Sequence, residues 1–299
     1  MKLGFIGLGK MGHSMVKRLS KEHEIVVYNR TSDKTKEIIK ENKKKIFPSY
    51  SIKELIKKLP KQKIIWLMIP HEAIDDSLKE ILPYLSRDDI VIDGGNTNYE
   101  DSIKRANELE KKGIYYLDIG TSGGIHGEKN GYCLMVGGNK KAYDIIKPIL
   151  KTLASKEGFS YIGKSGSGHY IKMIHNGIEY ALMQSYAEGF ELLKNSQYKF
   201  SNKELGNIAK LWNNGSVIRS WLLDLLGESI NDTDNIKDYI GGGSTGKWSV
   251  IESLKTETPS PMISLALALR YRSRQQESFS GKIVALLRNK FGGHEVKKE

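Results

Sequence analysis

A single cysteine, Cys133, stands in a chain of 299 residues. One thiol excludes an internal disulfide, and with it the small secreted scaffolds that depend on cross-links. Its neighbours Tyr132, Leu134, Met135 and Val136 read as a strand, so the thiol is expected to be buried and inert rather than nucleophilic. Long apolar runs are also missing: no stretch reaches the ~18 residues that a membrane-spanning helix needs. The opening Met1–Gly12 segment is broken by glycines and has no small-residue cleavage pattern, so it does not read as a signal peptide; a cytoplasmic setting is expected. Aromatic residues are not interleaved with basic ones in the manner of single-strand binders. The net charge of +12 is therefore read as solvated lysine clusters (Lys43-Lys44-Lys45, Lys57-Lys58, Lys111-Lys112, Lys297-Lys298) and as a bias towards small anionic ligands, with neither nucleic acid nor membrane as partner. Internal repeats and low-complexity segments are absent.

What is present suffices for two domains with sizeable cores. Up to about Tyr161 strand and helix signals alternate. Strands are predicted at Lys2–Ile6, Glu24–Tyr28, Lys63–Ile69, Ile90–Asp93, Tyr115–Asp118 and Tyr132–Val136. Helices are predicted at Met11–Ser20, Asp33–Lys40, Ile52–Leu59 (behind Ser51), Ile74–Leu85, Tyr99–Lys112 and Lys140–Leu153. Apolar, two-sided strands alternating with helices predict an α/β fold, a Rossmann-type doubly wound sheet. Helical periodicity alone follows: Ile171–Leu193, Asn202–Asn213, Ser216–Leu226, Lys247–Glu257, Pro261–Gln275 (Pro261 behind Ser260) and Phe279–Arg288. An all-α C-terminal domain is expected, with a boundary at the Gly163–Gly168 turn: residues 1–164 and 165–299.

Gly7-Leu8-Gly9-Lys10-Met11-Gly12 is a GxGxxG between a strand and a helix, the setting in which that motif binds a dinucleotide. Gly7 permits the turn, Gly9 lets backbone approach a pyrophosphate, and Gly12 packs helix on strand. The second strand ends in Asn29-Arg30-Thr31. No carboxylate stands there to hold ribose hydroxyls or repel a 2′-phosphate, while Arg30 can pair with one. NADP is predicted over NAD. Met68 and Asn96 close two further strands, where this fold places ligand contacts.

In Gly166–Tyr180 a helix would place Lys172, His175, Asn176 and Glu179 at i, i+3, i+4 and i+7, within an arc of about 100°. Ile171, Ile174, Ile178 and Leu182 form a separate apolar face, expected to bury the helix. An amphipathic helix with a routine Lys–Glu pair is the plainer reading of this stripe alone; the dinucleotide motif upstream favours an acid–base pair. Downstream, Lys247 opens a helix, and Arg288 and His294 flank the last helix end, a basic set that suits a phosphorylated or carboxylated ligand.

These motifs resemble the decarboxylating 6-phosphogluconate dehydrogenases in their short form, with one copy of the helical unit. The resemblance runs through Gly7–Gly12, Asn29–Thr31, Asp93–Asn96, Ser122–Gly124, Gly168–Tyr180, Thr245–Trp248 and Phe291–His294, nearly the whole chain. It implies oxidation of 6-phosphogluconate at C3 with NADP (NAD as the alternative), loss of CO₂ and protonation to ribulose 5-phosphate, in the pentose phosphate pathway or gluconate utilization. It implies Lys172 as base and Glu179 as acid. Asn96, Ser122, Gly123, Gly124, His175 and Asn176 would hold the substrate, Tyr180 and Lys247 its phosphate. No metal is implied. Arg288 and His294 match tail residues that reach a neighbouring subunit's site, which implies a homodimer or higher oligomer. The family's additional phosphate-binding arginine has no match in register; Arg270, Arg272 and Arg274 remain open. Two readings compete. A 3-hydroxyisobutyrate or tartronate semialdehyde type of β-hydroxyacid dehydrogenase would carry Asn-Asn after the lysine instead of His175-Asn176. A non-catalytic dinucleotide- or nucleic-acid-binding module would not need the stripe.

Overall fold

The computed structural model describes residues 1–41 and 44–297; Lys43 and Lys298 of the lysine clusters lie outside the described residues. Two compact units, Met1–Asn176 and Gly177–Glu299, divide the chain inside one long helix.

The first unit runs β1 (Lys2–Ile6), α1 (Lys10–Leu19), β2 (Glu24–Tyr28), α2 (Ser32–Glu41), β3 (Ile46–Pro48), α3 (Ile52–Lys57), β4 (Ile64–Leu67), α4 (Ile74–Ile81), β5 (Ile90–Asp93), α5 (Tyr99–Glu110), β6 (Tyr115–Ser122), α6 (Gly127–Asn130), β7 (Tyr132–Gly138), α7 (Lys140–Leu153) and β8 (Ala154–Gly163), then enters α8 (Ser167–Lys194). Among the described residues the strands form one sheet in the order β3-β2-β1-β4-β5-β6-β7-β8. All neighbours are parallel except β6 and β7. Strand order reverses between β1 and β4, which opens a crevice beyond their carboxyl ends, where open α/β sheets bind ligands.

The strands are apolar on both sides because both faces are covered. Leu3, Phe5, Val27, Trp66 and Ile92 pack with Met15, Leu19, Ile38 and Ile146 on one face. Ile6, Val26, Leu67 and Val91 pack with Leu55, Leu78, Ile81 and Leu109 on the other. Each fully buried Leu or Ile contributes roughly 1.5–3 kcal/mol. Local chemistry sets the helix starts: the Ser51 hydroxyl accepts the Glu54 N–H at 3.1 Å, and Asn139 accepts those of Lys141 and Ala142 at 3.0 and 3.2 Å.

Two strands were not anticipated. β3 has three residues, too few for an alternation to show. β8 is an edge strand with a largely exposed, polar sequence. Cys133 is exposed, not buried. Tyr132 and Leu134 point into the core, and Cys133, between them, points to the other face. There α8 is seated from Met135 onward, Gly168 lying against the Met135 carbonyl, one step beyond the cysteine.

The second unit holds the rest of α8, then α9 (Asn202–Asn213), α10 (Trp221–Ser229), α11 (Ser244–Lys255), α12 (Pro261–Arg272) and α13 (Phe279–Gly292). α10 starts five residues later than predicted, at the Ser220 cap, whose hydroxyl accepts the Leu223 N–H at 3.1 Å. Pro261 is the first residue of α12 as expected, although the Ser260 side chain makes no capping bond. Among the described residues the buried core of this unit is small: a cluster of Phe190, Leu205, Ala209, Leu223 and Ile230, with Ala266 and Leu267 buried besides. The apolar face expected to bury α8 is also largely uncovered, with Ile171, Ile178 and Leu182 at 40%, 51% and 43% exposure. In the first unit the helix is instead buried through His169 and Met173.

Candidate active site

At the carboxyl end of β1, Gly7 adopts φ 103°, and a side chain there would strike the Met68 backbone. Gly12 leaves room for the Gly7 carbonyl, so α1 starts directly behind the turn. A Cβ on Gly9 would meet nothing within 4 Å. Gly9 caps α1 without a side-chain bond, leaving bare backbone and a helix N-terminus facing open space, a cradle that fits a pyrophosphate. The Leu8 N–H donates to Asn29 Oδ1 at 2.8 Å, and Asn29 Nδ2 donates to the Thr31 carbonyl at 3.0 Å. Asn29 thus braces the glycine loop against the end of β2. Lys10, Arg30 and Thr31 are exposed around it and Met11 is half-buried. Met68 follows β4, its N–H donating to the Ile6 carbonyl at 2.8 Å. Asn96 is exposed in the turn beyond β5. That turn is tied down from below: Asp93, fully buried, accepts from the Gly95 N–H at 3.0 Å, Thr97 Oγ1 at 2.9 Å and Tyr116 OH at 3.0 Å.

At the end of β6 the structure brings Lys172, His175 and Asn176 to the strand that carries Ser122. Ser122 Oγ lies 3.4 Å from His175 Nε2, and His175 Nδ1 lies 3.0 Å from Asn176 Oδ1. Gly120 abuts the Lys172 side chain. Gly123 and Gly124 follow with φ 131° and 53°, backbone that glycine adopts readily. Lys172, His175 and Asn176 are each half-buried. One strand turn below, the buried Asp118 carboxylate accepts the Gly166 N–H at 2.7 Å and the His169 N–H at 3.0 Å, both at the start of α8. Burial pushes this carboxyl above its ordinary range, against the opposing pull of His169 and the two N–H groups. Sequence reasoning ended this strand at Asp118 and assigned neither Asp118 nor Gly120 a role in the site. Both are ordinary strand residues until their neighbour is known.

In the second unit Glu179 and Tyr180 continue α8, both half-buried. Tyr180 OH lies 3.3 Å from Thr245 Oγ1, and the Tyr180 ring packs over Gly246, where a side chain would collide with it. The Arg270 guanidinium stacks on the other part of this cluster, 3.8 Å from the Tyr180 ring centre. Lys247 is exposed in the first turn of α11, its N–H bonded to the Gly243 carbonyl at 2.9 Å. Arg288 and His294 stand on a separate element, the exposed end of α13 and the segment just past it. The structure therefore gathers Tyr180, Thr245, Gly246 and Arg270, with Lys247 exposed in the same helical turn as Thr245.

A doubly wound sheet with a glycine cradle at its switch point, followed by a helix that presents a lysine beside the strand ends, defines a dinucleotide-dependent dehydrogenase. Comparison with known proteins narrows this. Residues 2–163 match the profile described as the NAD binding domain of 6-phosphogluconate dehydrogenase, and residues 168–296 match the 6-phosphogluconate dehydrogenase C-terminal domain. The chain belongs to the 6-phosphogluconate dehydrogenase family. It is 44% identical to the NAD(+)-dependent, decarboxylating 6-phosphogluconate dehydrogenase of Haloferax volcanii, over 99% of this chain and 98% of that one. A Plasmodium falciparum 6-phosphogluconate dehydrogenase, studied apo and in complex with NADP+ and with 6-phosphogluconate, superimposes with a TM-score of 0.85 at 32% identity. This chain is covered completely and spans 66% of that longer one. A Mycobacterium tuberculosis 3-hydroxyisobutyrate dehydrogenase shares the fold at a TM-score of 0.72 and 18% identity, over 91% of this chain and 92% of that one.

Proposed function

We propose that the protein catalyses the oxidative decarboxylation of 6-phosphogluconate to ribulose 5-phosphate and CO₂. The observation that carries this reading is the placement of Lys172, His175 and Asn176 at the end of β6, with Ser122 Oγ 3.4 Å from the His175 ring. The Gly7–Gly12 cradle would hold NADP, which would supply the acceptor for the hydride that leaves C3. Lys172, neutral at that moment, takes the C3 hydroxyl proton. As its ammonium form it then returns a proton to the C3 carbonyl oxygen while the bond to the carboxylate carbon breaks and CO₂ leaves. The resulting enediol is protonated by Glu179 at the carbon that becomes C1 of the product, while the hydroxyl on the former C3 gives its proton back to the neutral Lys172 and becomes the ketone. Ser122, Gly123, Gly124 and Asn96 hold the carboxylate end, and His175 and Asn176 orient the hydroxyls. The phosphate falls to Tyr180, Lys247 and, on the stacking geometry, Arg270.

NADP is the preferred dinucleotide in this reading. Arg30 is exposed next to the cradle and no carboxylate opposes a 2′-phosphate there. Arg30→Ala should weaken NADP at least about ten-fold and NAD little, as expected for one charge-assisted phosphate contact; equal losses would remove the 2′-phosphate role. The reaction itself is tested by following absorbance at about 340 nm with 6-phosphogluconate and each dinucleotide, where reduced nicotinamide absorbs. Absence of reduction with both would end the assignment.

A homodimer or larger assembly belongs to the same reading, with Arg288 and His294 contributing to a neighbouring subunit's site. Support comes from the apolar surface left open on α8 and on α13, where Phe279, Val284 and Leu287 are exposed. A cytoplasmic setting fits the phosphorylated substrate; no helix among the described residues is long and apolar enough to cross a membrane. Fractionation that recovered the active enzyme outside the cytoplasm would contradict it.

A further inference from the structure

The base can work only if α8 is held at one height against the sheet, and the contacts that hold it are unusually bare. The chain places glycine at 120 and 137 on β6 and β7, and again at 168 in the first turn of α8. A Cβ on Gly120 would collide with the Lys172 Cβ and lie 2.7 Å from the Gly168 carbonyl oxygen. On Gly168 it would collide with the Asp118 and Met135 carbonyls, and on Gly137 it would stand 2.6 Å from the Gly168 amide nitrogen. The helix therefore rests backbone on backbone, closer than any side chain would allow. Within this seat lies one buried charge. The Asp118 carboxylate is 0% exposed and accepts the Gly166 and His169 N–H groups at 2.7 and 3.0 Å. A carboxylate there satisfies helix donors that would otherwise be orphaned and interacts favourably with the helix dipole. From the other side, His169 Nδ1 meets Ser102 Oγ of α5 at 2.7 Å.

The geometry points to Asp118 and Gly120 as positioning residues for Lys172. The Asp118 carboxylate fixes the start of α8, and the bare Gly120 backbone sets how closely the Lys172 stem approaches β6. Neither touches substrate; both act through the lysine. This rests on the reading of Lys172 as the base, and reactions of this kind are sensitive to such placement. A shift of about 1 Å can cost on the order of a hundred-fold in rate.

The test uses the full-length protein and three variants, Gly120→Ala, Asp118→Asn and Lys172→Ala. The Asp118→Asn side chain keeps the shape but offers one acceptor and a competing donor to the two N–H groups. Each variant is checked by circular dichroism, by NADP affinity from protein fluorescence, and by kcat and KM with 6-phosphogluconate. The expected result for Gly120→Ala and Asp118→Asn is a folded protein whose NADP affinity stays within about two-fold while kcat falls at least about ten-fold and KM changes much less, the pattern of a group needed in the transition state. Wild-type kcat in either folded variant overturns the proposal. So does a loss of NADP affinity that tracks the loss of kcat, because the residues would then support the whole domain. If Gly120→Ala does not fold, Asp118→Asn decides on the same criteria; collapse of both makes the role structural and also overturns it. Lys172→Ala separates the two levels. If it keeps turnover, the base assignment fails; if it is inactive while Gly120→Ala works normally, only the positioning role fails.

Discussion

Among single residues Arg270 is the one that the sequence offered without choosing. Arg270, Arg272 and Arg274 lie two apart, so on a helix they point about 200° from one another in turn, and only the neighbours decide which serves a ligand. Arg272 Nη1 donates to the Gln275 carbonyl at 2.8 Å. Arg274 donates from Nε to the Ile240 carbonyl at 2.9 Å and from Nη2 to that of Gly242, so it serves to hold the glycine loop. Arg270 stacks on Tyr180 with one bond to the Gly241 carbonyl at 3.2 Å, beside Thr245 and the first turn that carries Lys247. Arg270→Ala should raise the KM for 6-phosphogluconate roughly ten-fold or more, the scale of a lost charge-assisted phosphate contact, with NADP affinity unchanged. Arg270→Lys should recover little, since an ammonium neither stacks on the ring nor forks to two oxygens. An unaltered KM would return the phosphate to other groups. By contrast Lys172, His175 and Asn176 are legible from the amino-acid order alone, because their spacing puts them on one helix face. Asp118 and Gly120 are not, since no spacing within β6 tells which helix will lie on it.

Elements were most legible where apolar residues recur with one period and a cap marks the start. β1, β2 and β5 and the helices α7 and α9 match their predicted bounds. The weak places are those where tertiary contacts carry the element. β8 is held by β7 and its own residues show little apolar pattern. Side-chain pairs between elements were also invisible in sequence, and one has a measurable pH signature. Arg105 on α5, almost fully buried, donates from Nε to Asp75 on α4 at 2.6 Å. That bond holds the Asp75 carboxyl below its ordinary 3.8, in spite of partial burial. A lowered folded-state value means that the unfolded chain takes up the proton first. The stabilisation is therefore present at pH above about 4 and is lost as pH falls through the lowered value. Asp75→Asn should cost about 1 kcal/mol at neutral pH, a modest figure because water screens the exposed side of the carboxylate. The gap in denaturation midpoint between wild type and variant should close in acid. A gap that persists unchanged at about pH 2.5, a unit or more below ordinary carboxylates, would mean that packing, not charge, is what Asp75 contributes.

For the whole molecule, the doubly wound sheet and the helical continuation could be read from the order of the periodicities, whereas the fate of the apolar surface could not. Alternation in a helix says that one face is apolar; it does not say whether the same chain or another copy covers it. The second unit has a small core of its own, yet on α13 Phe279 is 78% exposed and Val284, Leu286 and Leu287 are each more than half exposed. Two copies that each expose such a helix can bury it in a self-complementary contact, and this is the arrangement that the homodimer proposal requires. Light scattering after size exclusion should give twice the chain mass of 33.7 kDa or a larger multiple. Leu286→Glu combined with Leu287→Glu places charges on that surface without touching the dinucleotide cradle, and should shift the mass to that of one chain. If Arg288 and His294 complete a neighbouring site, turnover falls with the dimer while NADP affinity survives, and activity becomes dependent on protein concentration. A monomeric variant with full turnover per chain would show that each subunit works alone and that the tail residues serve no partner.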